Sequence, residues 1–306
     1  MAKPLVIRGV LPTLRPAGYG LREYRVSLIG SSGRILLQHN LFRVEGFRLL
    51  VQPDPLSPGV ELVDGDGFLV SSLGKRMCRF HEGRGGRLLS WRFCTRPAVT
   101  VSGFCMDHRS SPQALYEKCN AGRLDACLVV DTAWRGESYS VYLLDYGSKN
   151  VKVGLTRTWR LPYRIAEQPH LAALELGRYG SLYEARMAER RIGRSRGFTE
   201  GIGVDRVGRL ERVVESLEKK GVGVAEEAAR RLAEAVYRAT GRGGRRNCVT
   251  ILPGVEPSEF TRARRVREPE PPLRLLGYWA GVFLAESRGE RIVFEADQLL
   301  HRVVYT

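Results

Sequence analysis

Residues 138–190, SYSVYLLDYGSKNVKVGLTRTWRLPYRIAEQPHLAALELGRYGSLYEARMAER, decide the fold. Two runs rich in Val, Leu and Tyr, Tyr139–Tyr146 and Asn150–Thr156, have the composition of strands. Gly147-Ser148-Lys149 between them suits a short hairpin turn. A stretch containing Trp159, Leu161 and Ile165 reads as a loop leading into a helix, and Leu171–Leu176 as a third strand. Ser181 then opens a second helix. Its hydroxyl is a good N-cap, Glu184 stands three residues on as in a capping box, and Leu182, Ala185 and Ala188 follow. The order β-β-α-β-α is enough for a small sheet with helices packed on one face.

Outward from this module the pattern changes. Towards the N-terminus, Leu5–Val10, Tyr24–Leu28, Ile35–Gln38, Phe47–Val51 and Gly67–Ser71 are short strand candidates separated by Gly, Pro, Ser and Asp. Asp64-Gly65-Asp66-Gly67 opens like a calcium loop, but the rest of that motif is missing and a turn is the better reading. Towards the C-terminus, Gly197–Gly203 reads as a linker. Two amphipathic helices follow over about Asp205–Lys220 and Val224–Thr240, the first with Val207, Leu210, Val213, Val214 and Leu217 on one stripe. Thr240–Arg246, TGRGGRR, lacks the Lys-Ser/Thr of a nucleotide-binding loop and reads as a flexible basic turn. Cys248–Leu252, Leu275–Leu284, Arg291–Phe294 and Leu299–Tyr305 are the last strand-like runs, with a basic patch at Arg262–Arg267 and a stiff connector at Glu268–Pro272. The expected architecture is multidomain α+β: an N-terminal β-domain over 1–75, a cysteine-rich module over 76–135, the β-β-α-β-α module over 136–197, and a helical hairpin plus C-terminal β-unit over 198–306.

Five of the six cysteines lie in 76–135. Cys105-Met106-Asp107-His108 is a C-x-x-H knuckle, a spacing at which two ligands from one tight turn reach a tetrahedral zinc. Cys94 supplies a third ligand across a β-like stretch, Ala98–Phe104. Cys78 is the preferred fourth, with His81, Cys119 and Cys127 as substitutes. Three thiolates and one imidazole suit zinc, and four protein ligands make the site structural. In a chain with no signal segment, cysteines point to metal or free thiols ahead of disulfides, so Cys119 and Cys127 are expected to pack beneath the module.

Lys and Arg total 49 against 33 Asp and Glu, a net charge of +16, and only 7 of the cations are lysine. Arginine pairs bidentately with phosphate and stays charged at any relevant pH, so the chain is expected to bind a polyanion, nucleic acid foremost. Arg186/Arg190 and Arg190/Arg194 are i,i+4 pairs whose like charges a phosphate backbone would relieve. No apolar run reaches the ~18–20 residues of a membrane span, and the N-terminus lacks a signal core. A cytoplasmic protein with no membrane partner is expected.

Ser140-Val141-Tyr142 and, further on, Lys152-Val153-Gly154 sit where the GIY-YIG nuclease superfamily has its two name-giving tripeptides. The chain resembles that superfamily, and more closely the domain of unknown function 2797 family. Members of the latter put a cysteine-rich segment before runs like Lys152–Arg157 and Leu161–Arg164. The resemblance spans about 90–195. It implies that Tyr142 activates water, Arg164 clamps phosphate and Glu189 holds Mg or Mn, the roles phosphodiester cleavage needs. Lys152 stands where the active nucleases keep a tyrosine, and could add a phosphate contact. Arg157, Arg160, Arg186, Arg190 and Arg194 are the expected backbone contacts. The favoured function is nucleic-acid binding on a GIY-YIG-like module with a structural zinc site. The alternatives are a metal-dependent endonuclease using Tyr142, Arg164 and Glu189, and a zinc-stabilised protein-interaction scaffold.

Overall fold

The computed structural model describes residues 3–28, 31–83, 85–201 and 203–306; Ile202 of the expected linker lies outside them. The described chain is mixed α+β with large sheets and seven α-helices. No described helix is long and apolar enough to cross a membrane. Two compact units emerge. Unit one takes Met1–Thr13, Gly46–Arg135 and Arg262–Thr306; unit two takes Leu14–Glu45 and Gly136–Thr261. Segment 76–135 therefore falls wholly in unit one and 136–197 wholly in unit two, whereas 1–75 and 198–306 are each shared between both.

The first four of the five N-terminal strand candidates merge into two long strands, Pro4–Leu28 and Ser31–Gln52, and the fifth shortens to Leu69–Val70. Glycines that read as breaks sit inside extended backbone. A Cβ at Gly18, for example, would lie in ordinary contact with Leu41 Cδ1, at 3.6 Å.

In unit two the strand order is Phe198–Thr199, Val151–Arg157, Tyr139–Asp145, Ala172–Tyr179, Gly244–Leu252, then the first part of Ser31–Gln52. Tyr139–Asp145 and Val151–Arg157 form the expected antiparallel hairpin, with Tyr142 opposite Gly154 and Leu144 opposite Lys152. Gly244–Leu252 runs parallel to Ser31–Gln52, from Gly244 opposite Ile35 to Leu252 opposite Arg43. Side chains alternate across a strand, so one face carries Tyr142 and Lys152 and the other Leu143, Asp145 and Val153. Helix Gly223–Thr240 covers the second face, where its Arg231 Nε lies 3.1 Å from Asp145 Oδ2. Burial pushes the Asp145 carboxyl above its ordinary range, and the Arg231 guanidinium opposes that.

Local chemistry fixes the helix ends. Ser181 Oγ accepts from the Glu184 amide at 3.3 Å at the start of Leu182–Gly193, and Asp205 Oδ1 from the Gly208 amide at 2.9 Å at the start of Arg206–Lys220. Gly241, in the left-handed region with φ 65°, ends Gly223–Thr240. The stripes on these two helices are core: Leu210, Val213, Val214, Leu232 and Val236 are all buried. The stretch expected as a loop leading into a helix is a 3-10 turn, Thr158–Arg160, running into helix Leu161–Ala166.

Unit one holds a sheet ordered Arg264–Arg265, Glu290–Glu295, Val282–Ser287, Leu273–Trp279, Leu69–Val70. Its core gathers Phe47, Leu49, Val70, Leu275, Phe283 and Phe294. The run Leu275–Leu284 is two strands rather than one. Ala280 and Gly281, with φ of 54° and 82°, turn the chain back so that Trp279 faces Val282. Pro4–Val6 pairs with Val303–Tyr305, which also pairs with Ser72–Arg76. Ala98–Phe104, read as β-like, is a turn: the Gly103 amide donates to Thr100 and the Val99 amide to Phe104.

Leu232 is fully buried under the unit-two sheet. Leu232→Ala is expected to cost about 2–5 kcal/mol through lost transfer energy and a residual cavity. Urea unfolding of the two proteins measures it, and a change within error would place Leu232 outside the core.

Candidate metal centre and cationic site

Unit one assembles the first site. Strands His81–Glu82 and Arg92–Phe93 pair with His81 opposite Phe93, and the Cys94 amide donates to the Phe80 carbonyl at 2.9 Å. Cys78 and Cys94 thus leave the base of one small hairpin together, and the Cys78 amide is tied to the Arg96 carbonyl at 2.8 Å. The 3-10 turn Met106–His108 brings Cys105 and His108 back against them. The ligand atoms of Cys78, Cys94, Cys105 and His108 all lie within 4.8 Å of one another, so the four could hold a metal ion. Cys94 Sγ is 4.0 Å from Cys105 Sγ, Cys105 Sγ 3.3 Å from His108 Nδ1, and Cys78 Sγ 3.6 Å from His108 Nδ1. A tetrahedron with zinc–sulfur and zinc–nitrogen bonds of ordinary length has edges of about 3.8 Å and about 3.5 Å. The cluster is close to that shape.

Its surroundings suit ligation. The Cys105 amide points at Cys78 Sγ, 3.3 Å away, and Phe80 stacks on the His108 ring at 3.7 Å between centroids, which fixes the imidazole plane. Burial, with Arg96 adding to it, lowers the His108 pKa, which favours the neutral ring that ligation needs. Burial pushes the Cys78 thiol up to about 12, so metal binding would release its proton. Beneath the cluster Arg8, itself buried, donates to the carbonyls of Cys78 and Cys94, each at 2.9 Å, and to Gln52 Oε1. Burial lowers the Arg8 pKa to about 10, while Cys78 and Cys94 oppose the drop. Nothing in the sequence flags Arg8, because its partners stand 44 to 293 positions away.

The substitutes for the fourth ligand lie elsewhere. His81 stacks on Trp91 at 3.9 Å. Cys119 and Cys127 are joined in a disulfide, contrary to the expectation of free thiols. The tight turn between helices Pro112–Asn120 and Leu124–Ala133 brings their Cα atoms to 5.0 Å, within bonding range.

The second site is in unit two, on the face of the hairpin that carries Tyr142 and Lys152. Gly154 is required there: a Cβ on it would come within 2.5 Å of Tyr142 Cζ. The buried Tyr142 hydroxyl accepts from Gln168 Nε2 at 2.8 Å, and Gln168 Oε1 accepts from Lys152 Nζ at 2.7 Å. Gln168 Nε2 also donates to the Arg164 carbonyl at 3.0 Å, which ties the end of helix Leu161–Ala166 to the site. Glu189, on helix Leu182–Gly193, is buried and hydrogen-bonded to Arg186, whose other nitrogen lies 3.3 Å from Glu200. Burial raises the Glu189 pKa, with Arg186 and Lys152 opposing it. Burial, followed by the charges of Arg164, Arg209 and Arg206, brings Lys152 down to about 7.

Of the four residues expected at the catalytic centre, Tyr142 and Lys152 share one amide, Arg164 is tied to it through its carbonyl, and Glu189 reaches Lys152 by charge. The Arg164 guanidinium sits 3.6 Å from Glu167. Gln168, Glu200, Arg206 and Arg209 join the site without a signal in the sequence. Gln168 carries no periodic or motif signal, and the others act from outside the β-β-α-β-α segment.

The expected phosphate contacts divide. Arg157 is buried over the Trp159 ring at 4.7 Å, and Arg186 is spent on Glu189 and Glu200 rather than repelling Arg190. Arg160 is half-buried, 3.3 Å from Glu167, and Arg190 is half-buried too. Arg194 is exposed, as are Arg191 and Arg196 beside it. His170 is buried and held down to about 4, with Nδ1 2.7 Å from the Gln168 carbonyl oxygen, a packing role. No protein-family model, curated protein or solved structure matches the chain.

Lys152 links the second site to pH. Because folding lowers its pKa to about 7, the unfolded chain binds more protons between about pH 7 and pH 10. Stability from this group therefore falls as pH drops through that window and levels off below it. Lys152→Met is expected to gain on the wild type by roughly 1 kcal/mol per pH unit on going from pH 10 to 7. Chemical unfolding across that range measures the gap, and a gap that stays constant contradicts a buried amine.

Proposed function

We propose that this chain is a nucleic-acid-binding protein built on a GIY-YIG-like module, with a structural zinc site in its cysteine-rich segment. The observation that carries the reading is the exposed run Arg191, Arg194 and Arg196 at the end of helix Leu182–Gly193, in a chain of net charge +16. Like charges so close repel unless a polyanion lies against them, and counterion release then drives binding. The resemblance to the domain of unknown function 2797 family and the GIY-YIG superfamily belongs to this proposal.

Binding is preferred to cleavage on the state of the polar cluster. A phosphodiesterase needs a carboxylate open to a divalent cation, yet Glu189 is buried and bonded to Arg186. It also needs a group to activate water, yet the Tyr142 hydroxyl is bonded to Gln168 and a lysine stands at the second motif. The endonuclease and the interaction scaffold become outcomes of the test. Labelled DNA and RNA are titrated with protein at several salt concentrations, with and without Mg²⁺. Binding should weaken steeply with salt and the nucleic acid stay intact; replacing Arg191, Arg194 and Arg196 by alanine should flatten the duplex salt slope by about 0.9 per lost contact. Mg²⁺-dependent cleavage abolished by Glu189→Ala would establish the endonuclease. Absence of both binding and cleavage would leave the scaffold.

Zinc is the metal proposed for Cys78, Cys94, Cys105 and His108, since soft thiolates with one imidazole suit it and four protein ligands leave no position for substrate. Purified protein should carry one equivalent of zinc by elemental analysis. Cys105→Ser should lose most of it and melt well below the wild type, because metal-binding energy is folding energy. Protein that is metal-free yet melts unchanged would exclude the centre.

A further inference from the structure

Unit two has a second surface that the proposal above does not use. Ser31–Gln52 alternates cleanly over its first part: Ile35, Leu37 and His39 are buried, whereas Leu36, Gln38 and Asn40 are half-exposed. His39 Nε2 lies 2.9 Å from Thr250 Oγ1, so the neighbouring strand Gly244–Leu252 buries the same side. The opposite side is accessible. On it Arg245 Nη2 donates to Gln38 Oε1 at 2.7 Å, and the parallel register sets Asn247 opposite Gln38.

The strand Pro4–Leu28 extends this accessible face. Gly18 faces Leu41 and Arg22 donates to Glu226 of helix Gly223–Thr240, which puts the even-numbered residues on the covered side. Tyr19, Leu21 and Glu23 consequently share the accessible side with Arg34, whose Nη1 lies 3.7 Å from Glu23. Tyr19 is 64% exposed and Leu21 49%. Phe42, half-exposed, takes the same side by alternation with Asn40. At the head of the face the expected basic turn over 240–246 is confined to Gly241–Gly243, because Thr240 ends the helix and Gly244–Arg246 already belongs to the strand, and it passes so close to Ser31–Gln52 that a Cβ at Gly243 would clash with the Arg34 carbonyl. That contact gathers Arg34, Arg242 and Arg245, all exposed, at one end.

We infer that this open sheet face is a track for single-stranded nucleic acid, with Tyr19 and Phe42 as stacking platforms, Gln38 and Asn247 at base edges, and Arg34 and Arg245 on phosphates. The inference rests on the nucleic-acid reading and specifies its class. Charge complementarity selects the occupant, because exposed arginines at the head of the face outnumber Glu23, which is itself paired. Planarity selects the strand state. Bases within a duplex already stack on each other, whereas an unpaired base offers its face to an aromatic ring, and amides can then reach its edge.

The experiment uses the full-length protein and fluorescence anisotropy with short labelled oligonucleotides: a mixed-sequence single strand and the matching duplex. Tyr19→Ala and Phe42→Ala should each weaken single-strand binding by at least about fivefold and leave duplex binding within twofold. Arg245→Gln should flatten the single-strand salt slope by about 0.7. Tyr19 and Arg245 are exposed, so their variants keep the fold, which circular dichroism checks, and they hold the test open if Phe42→Ala does not fold. Unchanged single-strand affinity in the Tyr19 and Arg245 variants, with wild-type binding intact and reduced by Arg194→Ala, overturns the track and spares the nucleic-acid reading. A wild-type protein that binds neither probe overturns both.

Discussion

The close approach of Tyr142 to Gly154 is the constraint on which the unit-two site depends. Only a residue without a side chain lets the tyrosine ring lie across the hairpin, because any Cβ at 154 would enter the ring. With the ring in place its hydroxyl meets Gln168, and the second arm of that amide reaches Lys152. One glycine thus sets the position of an ammonium two residues away along the same strand. The chain of bonds continues into the Arg164 carbonyl, so the short helix Leu161–Ala166 is held by the same amide.

Charge in this unit is arranged in two tiers. Inside, cations and acids are interleaved: Arg186 with Glu189 and Glu200, Arg231 with Asp145. Such pairs do little for net stability, since desolvation offsets their attraction, but removing one partner leaves a buried charge exposed to the full penalty. Outside, arginines at the end of helix Leu182–Gly193, together with Arg242 and Arg245 at the head of strand Gly244–Leu252, stand in solvent. Composition counts both tiers alike, although the outer tier alone is placed to meet another molecule.

What the sequence reveals follows from the range of the interactions involved. The hairpin from Tyr139 to Arg157, the Ser181 cap and the two amphipathic helices are legible because their signals sit within a few residues. The C-x-x-H knuckle is legible for the same reason, and a short hairpin makes Cys78 and Cys94 neighbours. Arginine roles are not legible. Arg186 looks like a surface cation until Glu200 folds against it, and Arg8 like an N-terminal polar residue until Gln52 and the Cys78 and Cys94 carbonyls converge on it. Leu275–Leu284 misleads because its turn uses Ala280 in a left-handed conformation that alanine seldom adopts. The disulfide misleads differently: an expectation about compartment outweighed a turn short enough to bring Cys119 and Cys127 together.

The pairing of Pro4–Val6 with Val303–Tyr305 has a consequence for how the chain comes off the ribosome. Unit two is complete in sequence once Thr261 has emerged, and it can assemble while synthesis proceeds. Unit one cannot. The strand Pro4–Val6 precedes Val303–Tyr305, the partner that closes its sheet, by about 300 residues, so this pairing needs a long loop closure. During that interval the apolar residues of Pro4–Val10 are exposed as an unpaired edge, which makes this strand the segment where a nascent-chain chaperone has most to protect.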